Sequence, residues 1–358
     1  MAARADAASA VVVHDDRAAV VSIVVTTYTL DRLKDVCELL DTISGQSYPH
    51  IETIFVGETS HELCDRVRAH VQANSISNVK VVFNDRVKGL SGARNVALCH
   101  AHGDIIAFVD DDVLLSPDWA EELVKTYASY NIAIGVTGAA LPAWQGESMA
   151  WFPKEFYWII SCTGWFQADG VRPVRNAWGM NMSFRREAFH HCRFDEALGG
   201  NMGAVDGSKM GLLGEDTQIS LKLRNATGRP IVYNPTVKVW HKVYGYRLRS
   251  RFIRRRAFWE GYTKAWLKRL YRKGDVMDAA DLATEYELMR HIMFGFFPSL
   301  LRDFVGNPII TWRRFRLAAD VLLHVALGYA SALLPVLGEV IRRRYGPGAE
   351  LRSKEDRR

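Results

Sequence analysis

Gly103-Asp104-Ile105-Ile106-Ala107-Phe108-Val109-Asp110-Asp111-Asp112 joins an uninterrupted apolar run of five residues to three consecutive carboxylates. A short apolar run bounded by a turn predicts a buried strand, so the three acids stand together at its exit. Adjacent carboxylates raise one another's pKa and repel unless a cation lies among them. Mg2+ or Mn2+ bridging a diphosphate suits the position, because a hard cation takes oxygen ligands from one or two carboxylates and from the phosphates. A bare run of acids elsewhere would read as a solvated turn. The apolar run before this one, and Pro117-Asp118-Trp119 after it, set it apart.

The residues upstream repeat one alternation. Val20 to Thr26 is a β-branched run and reads as a buried strand; Asp31 to Ser44 carries Leu33, Val36, Leu40 and Ile43 at helical spacing, with Gly45 as a stop. Strands are then expected at Ile51 to Val56 and Val79 to Phe83, and helices at Glu62 to Ala73 and Gly92 to His102. Such a series predicts an α/β fold with a mostly parallel sheet flanked by helices. Ligands of such sheets gather beyond the carboxyl ends of the strands, where Thr27, Glu58, Asn84 and Asp110 fall. Downstream, Pro117 to Tyr130 is expected to be a helix capped by Ser116, Gly214 to Asn225 a helix opened by Glu215 and Asp216, and Ile231 to Trp240 a strand ending at His241.

At 358 residues and 48% hydrophobic content the chain can bury a substantial core. Five cysteines, with no C-x-x-C pair, read as reduced thiols of a cytosolic compartment. Residues 1–19 hold only the short run Val11-Val12-Val13, too brief for a secretory segment, and are expected to be a loose leader. The net charge of +6 is concentrated late: from Lys242 to Lys273 twelve basic residues face one acid, Glu260, with Phe252, Phe258, Trp259, Tyr262 and Trp266 interleaved. This composition suggests a cationic amphipathic helix, or a pair of them. The apolar stretches Leu288 to Val305 and Leu317 to Leu337 follow, the second about long enough to span a bilayer. Asp320 and His324 lie inside that second stretch. Basic clusters at Arg313-Arg314, Arg316 and Arg342-Arg343-Arg344 flank it, which favours helices lying in the interface or a re-entrant hairpin. The expected divisions are a leader at 1–19, a catalytic domain at 20–245, a helical membrane-interface region at 246–345 and a charged tail at 346–358.

Four motifs in order resemble the family 2 inverting glycosyltransferases of GT-A fold. They are Val21-Ser22-Ile23-Val24-Val25-Thr26-Thr27-Tyr28, Gly89-Leu90-Ser91-Gly92-Ala93-Arg94-Asn95, the stretch quoted at the outset, and Gly214-Glu215-Asp216. The resemblance implies a nucleotide-sugar donor, with UDP as the expected nucleotide, held by Thr26, Thr27, Tyr28 and Glu58. It also implies that Asp110 and Asp111 belong to the nucleotide-sugar site, that Asp112 binds the metal, and that Asp216, beside Glu215, is the general base. Glu58 departs from the Asp-Asp or Asp-Asn pair of many relatives, which touches the base contact. His241 matches a position that in some GT-A enzymes supplies a further metal ligand, and an imidazole suits Mn2+; a structural histidine is the alternative.

Other candidates remain open between two roles. Arg94 either donates to a diphosphate oxygen or pairs with an Asp of the triad. Glu215 and Asp216 either do chemistry or complement a helix dipole. Trp178 and Asn181, with Asn176, resemble the family's acceptor-side strand and offer a stacking face and amides, or else form a polar turn. Arg254 to Ala265, including Arg255 and Trp259, together with Trp151 to Glu155, look like the archaeal-type glucosyl-dolichyl phosphate glucuronosyltransferases. Arg clusters bind phosphate, and interleaved aromatics seat at a membrane interface. The same basic patch fits nucleic acid, but the apolar helices beyond it favour lipid. The expected partners are therefore a nucleotide sugar, a lipid-linked acceptor and the cytoplasmic face of the cell membrane, held peripherally. Rival functions are a polyprenyl-phosphate sugar synthase, which takes the bare lipid phosphate and needs no base, and a non-catalytic membrane-surface nucleotide binder.

Overall fold

The computed structural model describes residues 18–146, 149, 151–166, 169–190, 192–199, 214–271 and 283–334. The expected leader up to residue 17, Arg272 and Lys273, Arg342-Arg343-Arg344 and the charged tail lie outside the described residues. Four neighbouring strands run parallel within one mixed sheet: β1 (Val21–Thr27), β2 (Ile51–Gly57), β3 (Val79–Phe83) and β4 (Ile105–Asp110). Five more complete it: β5 (Val113–Leu115), β6 (Gly135–Gln145), β7 (Arg172–Val174), β8 (Asn181–Arg185) and β9 (Ile231–Tyr244). The order is β3-β2-β1-β4-β8-β6-β9-β5, with β7 on β9.

Helices α1 (Leu33–Ser44), α2 (His61–Ala73), α3 (Leu90–Leu98), α4 (Trp119–Ser129) and α5 (Glu215–Thr227) accompany the sheet. One core layer places Val36, Leu39, Leu40 and Ile43 of α1 with Val21, Ile23 and Val25 of β1. The other packs Ala93 and Ala97 of α3 and Ile219 and Leu223 of α5 with Val24, Ile106 and Phe108. Alternate residues of β1 and β4 thus feed both layers, the signature of strands covered on both faces. Each fully buried Val, Leu, Ile or Phe in these layers contributes roughly 1.5–3 kcal/mol relative to exposure.

Two local differences from the sequence expectation have simple causes. α4 begins at Trp119 with Asp118 as its N-cap residue, because the Ser116 hydroxyl is spent on the Asp118 carboxylate. β9 runs four residues past Trp240, because Pro142 to Gln145 of β6 pair in parallel with His241 to Tyr244, while Val113 of β5 pairs with His241 on the other side. His241 therefore sits inside a strand rather than beyond its end.

The C-terminal helices are α6 (Ser250–Tyr271), α7 (Ala283–His291), α8 (Phe297–Gly306) and α9 (Pro308–Leu333), with a π-turn at Ile292–Phe296 between α7 and α8. α6, expected to be a cationic amphipathic helix, turns its apolar side to the protein. Ile253, Ala257, Phe258, Trp259, Gly261 and Ala265 are buried, and α6 lies against α9. A Cβ on Gly261 would stand 2.0 Å from the Val325 carbonyl oxygen, and one on Gly328 would stand 1.9 Å from that of Phe258. Only glycine permits the two backbones to approach so closely.

Candidate active site

The parallel strands bring the carboxyl ends of β1, β2 and β4 together. Thr26 is level with Asp110, and Thr27 with Gly57. The chain turns through Asp111 and Asp112 straight into β5, whose Val113 pairs with His241. Asp112 is thereby buried, with its Oδ1 3.1 Å from His241 Nε2. Its Oδ2 accepts from Arg247 at 2.7 Å and lies 3.3 Å from Arg32. Burial opposes ionisation of Asp112, but His241, Arg247 and Arg32 together hold its carboxyl well below the usual carboxylate range. Asp111 is pushed the other way by burial and by the Asp112 charge, partly offset by the Thr27 hydroxyl and Arg32.

Arg32 and Arg247 escaped the sequence reading as site residues, since each lies in a short 3-10 turn with no motif around it. Their placement depends on a second set of contacts. Asp35 takes Arg32 at 2.9 Å and Lys242 at 2.9 Å, and also accepts from the Tyr244 hydroxyl. The Arg32 guanidinium lies 5.2 Å from the Tyr244 ring centroid. Two residues of the strand that carries His241 thus brace the arginine that faces Asp112.

Asp110, Asp112 and His241 offer ligand atoms that all lie within 4.8 Å of one another. Two carboxylates and an imidazole form a donor set for Mn2+ or Mg2+. His241 Nδ1 is buried without a hydrogen-bond partner among the described residues. A buried polar atom of that kind normally has one; what fits the cluster to a divalent ion is its donor set, two carboxylates beside an imidazole.

Arg94, from α3, crosses to the other acidic pair. It donates to Asp110 Oδ1 at 3.3 Å, to Glu215 Oε1 at 3.1 Å and to the Gly179 carbonyl at 3.4 Å. Of its two expected roles the structure displays the ion pair. Asp216 lies in the first turn of α5 and accepts from the Gly179 N–H at 3.0 Å and from the Thr217 N–H at 2.6 Å. Burial, with the neighbouring Glu215 charge, pushes its carboxyl up to about 6, against the pull of those two N–H groups. Gly214 before the helix has φ 91°, and a Cβ there would come within 3.1 Å of Thr263 on α6, so the basic helix roofs the start of α5.

Several expected contacts lie elsewhere. Glu58 is buried and turned away from solvent: both its oxygens accept from the Gly89 N–H, at 2.9 and 3.1 Å, and one accepts from Asn84 at 3.0 Å. It fixes the loop that enters α3. Tyr28 is 42% exposed at the strand exits, and Thr27 is buried beside Asp111. Asn181 is buried, binding the Trp119 indole at 3.0 Å and the Val237 carbonyl at 2.8 Å, which removes it from an acceptor surface. Trp178 belongs to an edge-to-face cluster with Trp165, Phe166 and Tyr233. Trp259 is buried against Phe258 and Tyr262, while Arg254 grips both oxygens of Asp320 at 2.7 and 2.9 Å, tying α6 to α9. Arg255 is half-buried in the same helix.

Residues 22–193 match the glycosyl transferase family 2 profile. The chain carries a family 2 glycosyltransferase domain. A glucosyl-dolichyl phosphate glucuronosyltransferase of Haloferax volcanii is 29% identical to it over 315 residues, spanning 88% of this chain and 96% of that protein. A Streptococcus pneumoniae glycosyltransferase is 24% identical over 70% of this chain but only 33% of its own length. Among solved structures, a mannosyltransferase from Pyrobaculum calidifontis, in complex with GDP-mannose and Mn2+, aligns with TM-score 0.56 and 18% identity. That alignment covers 87% of this chain and 86% of the mannosyltransferase, and it shows the shared GT-A fold.

Proposed function

We propose that this glycosyltransferase moves a sugar from a nucleotide-sugar donor to a hydroxyl of a lipid-linked sugar, with inversion at the anomeric carbon. The observation that carries this is a pair of acidic sites of opposite character joined through Arg94. Asp110 and Asp112 form the cation-binding side with His241, and Asp216 forms the proton-accepting side. The lipid-linked acceptor is supported by the haloarchaeal relative, whose name places its reaction on a dolichyl phosphate-linked sugar and whose length this chain nearly spans. The donor is taken as UDP-linked, as the resemblance implies, at the exits of β1 and β4 beside Thr26, Thr27 and Tyr28.

Asp110, Asp112 and His241 would hold Mn2+ or Mg2+, which when bound would neutralise the diphosphate and ease its departure. Arg32 and Arg247 keep Asp112 ionised for that purpose. The Gly179 N–H holds one Asp216 oxygen and the Thr217 N–H the other, orienting the carboxylate. The acceptor oxygen forms a bond to the anomeric carbon as the sugar–phosphate bond breaks; its proton passes to Asp216, and the electron pair leaves with the nucleoside diphosphate. A single displacement of this kind inverts the centre. A carboxylate whose pKa is raised toward the working pH suits the role of general base.

The deciding experiment is Asp216→Asn, assayed with UDP-sugars on a polyprenyl phosphate-linked sugar and on the bare polyprenyl phosphate. Transfer to the sugar hydroxyl should fall by about 10²–10³ while nucleotide affinity stays within a few-fold. Undiminished turnover on the bare phosphate would replace this proposal with a lipid-phosphate sugar synthase, which needs no base.

A further inference from the structure

The α8–α9 corner leaves apolar side chains uncovered that the fold has no use for. Leu301, Phe304 and Val305 on α8, and Ile309, Trp312 and Phe315 on α9, are between 42% and 89% exposed. Their spacing places each trio along one side of its helix. The two helices meet at Gly306-Asn307, where the Asn307 side chain accepts from the Ile310 N–H at 3.2 Å and caps α9. The apolar residues thus crowd around one sharp corner. Soluble monomers rarely leave so large a contiguous apolar patch bare.

Charge identifies what covers it. Arg302, Arg313 and Arg316 are exposed among these residues. The nearby acid Asp303 is already paired with Arg314 at 3.2 Å. Apolar and aromatic side chains interleaved with arginines match the boundary of an anionic bilayer, with rings in the headgroup layer and guanidinium groups on phosphates. The opposite side of the same hairpin is already occupied. Leu300, Leu317 and Val321 share a core with Phe156 and with Val243, two residues beyond His241. The corner is therefore fastened to the wall that adjoins the cation cluster.

α9 is long and apolar enough to cross a bilayer by length and composition, but its contacts argue against crossing. Asp320 in its middle is held by Arg254, and His324 lies 3.3 Å from Asp320. The close glycine contacts bind α9 along α6, whose Arg254 pairs with Asp320 of α9 and whose Arg256 and Lys264 flank Glu260 on α6 itself. A span would carry those charges into hydrocarbon at high cost.

We propose that the α8–α9 corner is a monotopic wedge that seats in the surface of an anionic membrane, while α6 and the remainder of α9 stay on the protein side. The inference deepens the lipid-linked acceptor reading, for it sets the site's wall against the surface from which a lipid-linked substrate would come. Its readout does not depend on transfer. The full-length chain is mixed with vesicles of phosphatidylcholine containing phosphatidylglycerol, or of phosphatidylcholine alone, and floated on a density gradient.

The wild type should float with the anionic vesicles. Val305→Glu combined with Ile309→Glu should lower the bound fraction about tenfold or more, with the melting temperature unchanged because both positions are exposed. Arg302→Gln with Arg316→Gln should remove most of the preference for phosphatidylglycerol, about tenfold at low salt. A double glutamate variant that floats as well as the wild type overturns the wedge. So does a wild type that stays off vesicles and elutes as a dimer which those glutamates turn into a monomer, since the face would then join two copies of the chain. Flotation that persists alongside absent transfer to lipid-linked sugars would sink the proposed acceptor and leave the wedge standing.

Discussion

Asp112 and Asp216 are both carboxylates withdrawn into the same domain, yet their surroundings drive them apart. Burial raises the pKa of each. Around Asp112 stand His241, Arg247 and Arg32, and it stays ionised. Among the described residues Asp216 has two backbone N–H groups for support and Glu215 at its side, and it rises to about 6. Neighbours, rather than depth, assign the roles. An acid locked in its charged form suits a cation and the phosphates that cation carries, and one whose pKa approaches the working pH suits proton transfer.

Breaking the first half of that contrast should have the larger effect. Asp112→Ala removes a proposed ligand and leaves two arginines facing each other, so transfer should drop by about 10³ or more in a Mn2+-supplemented assay. Asp216→Asn tests the second half. It should lower kcat by about 10²–10³ with little change in nucleotide affinity, measured by steady-state kinetics beside calorimetric titration.

The pH profile sharpens the comparison. Because the Asp216 pKa is raised to about 6, the proposed base is protonated below that value. The rate should then fall about tenfold per unit as pH drops below 6 and level off above it. Asp112 should add no inflection there, since its cationic neighbours keep it charged. Smaller still is the effect of Glu58→Gln. It weakens the hold on the Gly89 N–H and should destabilise the fold by about 1–3 kcal/mol, read from thermal melting, with transfer by the folded fraction largely kept. A large loss of nucleotide binding in the folded variant would instead return Glu58 to the base contact.

The acidic run at Asp110 was legible because period and position coincide there: an apolar strand can end in charge only where the chain leaves the sheet. The same logic placed β1 to β4 within a residue or two. His241 was legible as a candidate but not as part of a strand, because the β6 and β5 pairings that extend β9 join residues far apart in sequence. Arg32 and Arg247 could not be read at all, as nothing local marks an arginine whose partner, Asp112, lies so distant along the chain. The loop contacts of Glu58 were not legible, since a carboxylate at a strand exit looks like a ligand contact until its loop partners are known.

α6 misled through counting. Its arginines dominate the composition, yet Ile253, Ala257, Gly261 and Ala265 recur every four residues and form the seam that α9 occupies. That periodicity was present in the sequence, and it outranks net charge as a guide to which side a helix buries. The membrane-facing character expected of α6 is assigned, in the proposal above, to the α8–α9 corner.

The central claim is most directly tested by calorimetric titration of UDP into the wild type and into Asp112→Ala, each with and without Mn2+. The account predicts that Mn2+ tightens UDP binding to the wild type by about tenfold or more and does nothing for the variant. Equal tightening in both proteins would contradict it.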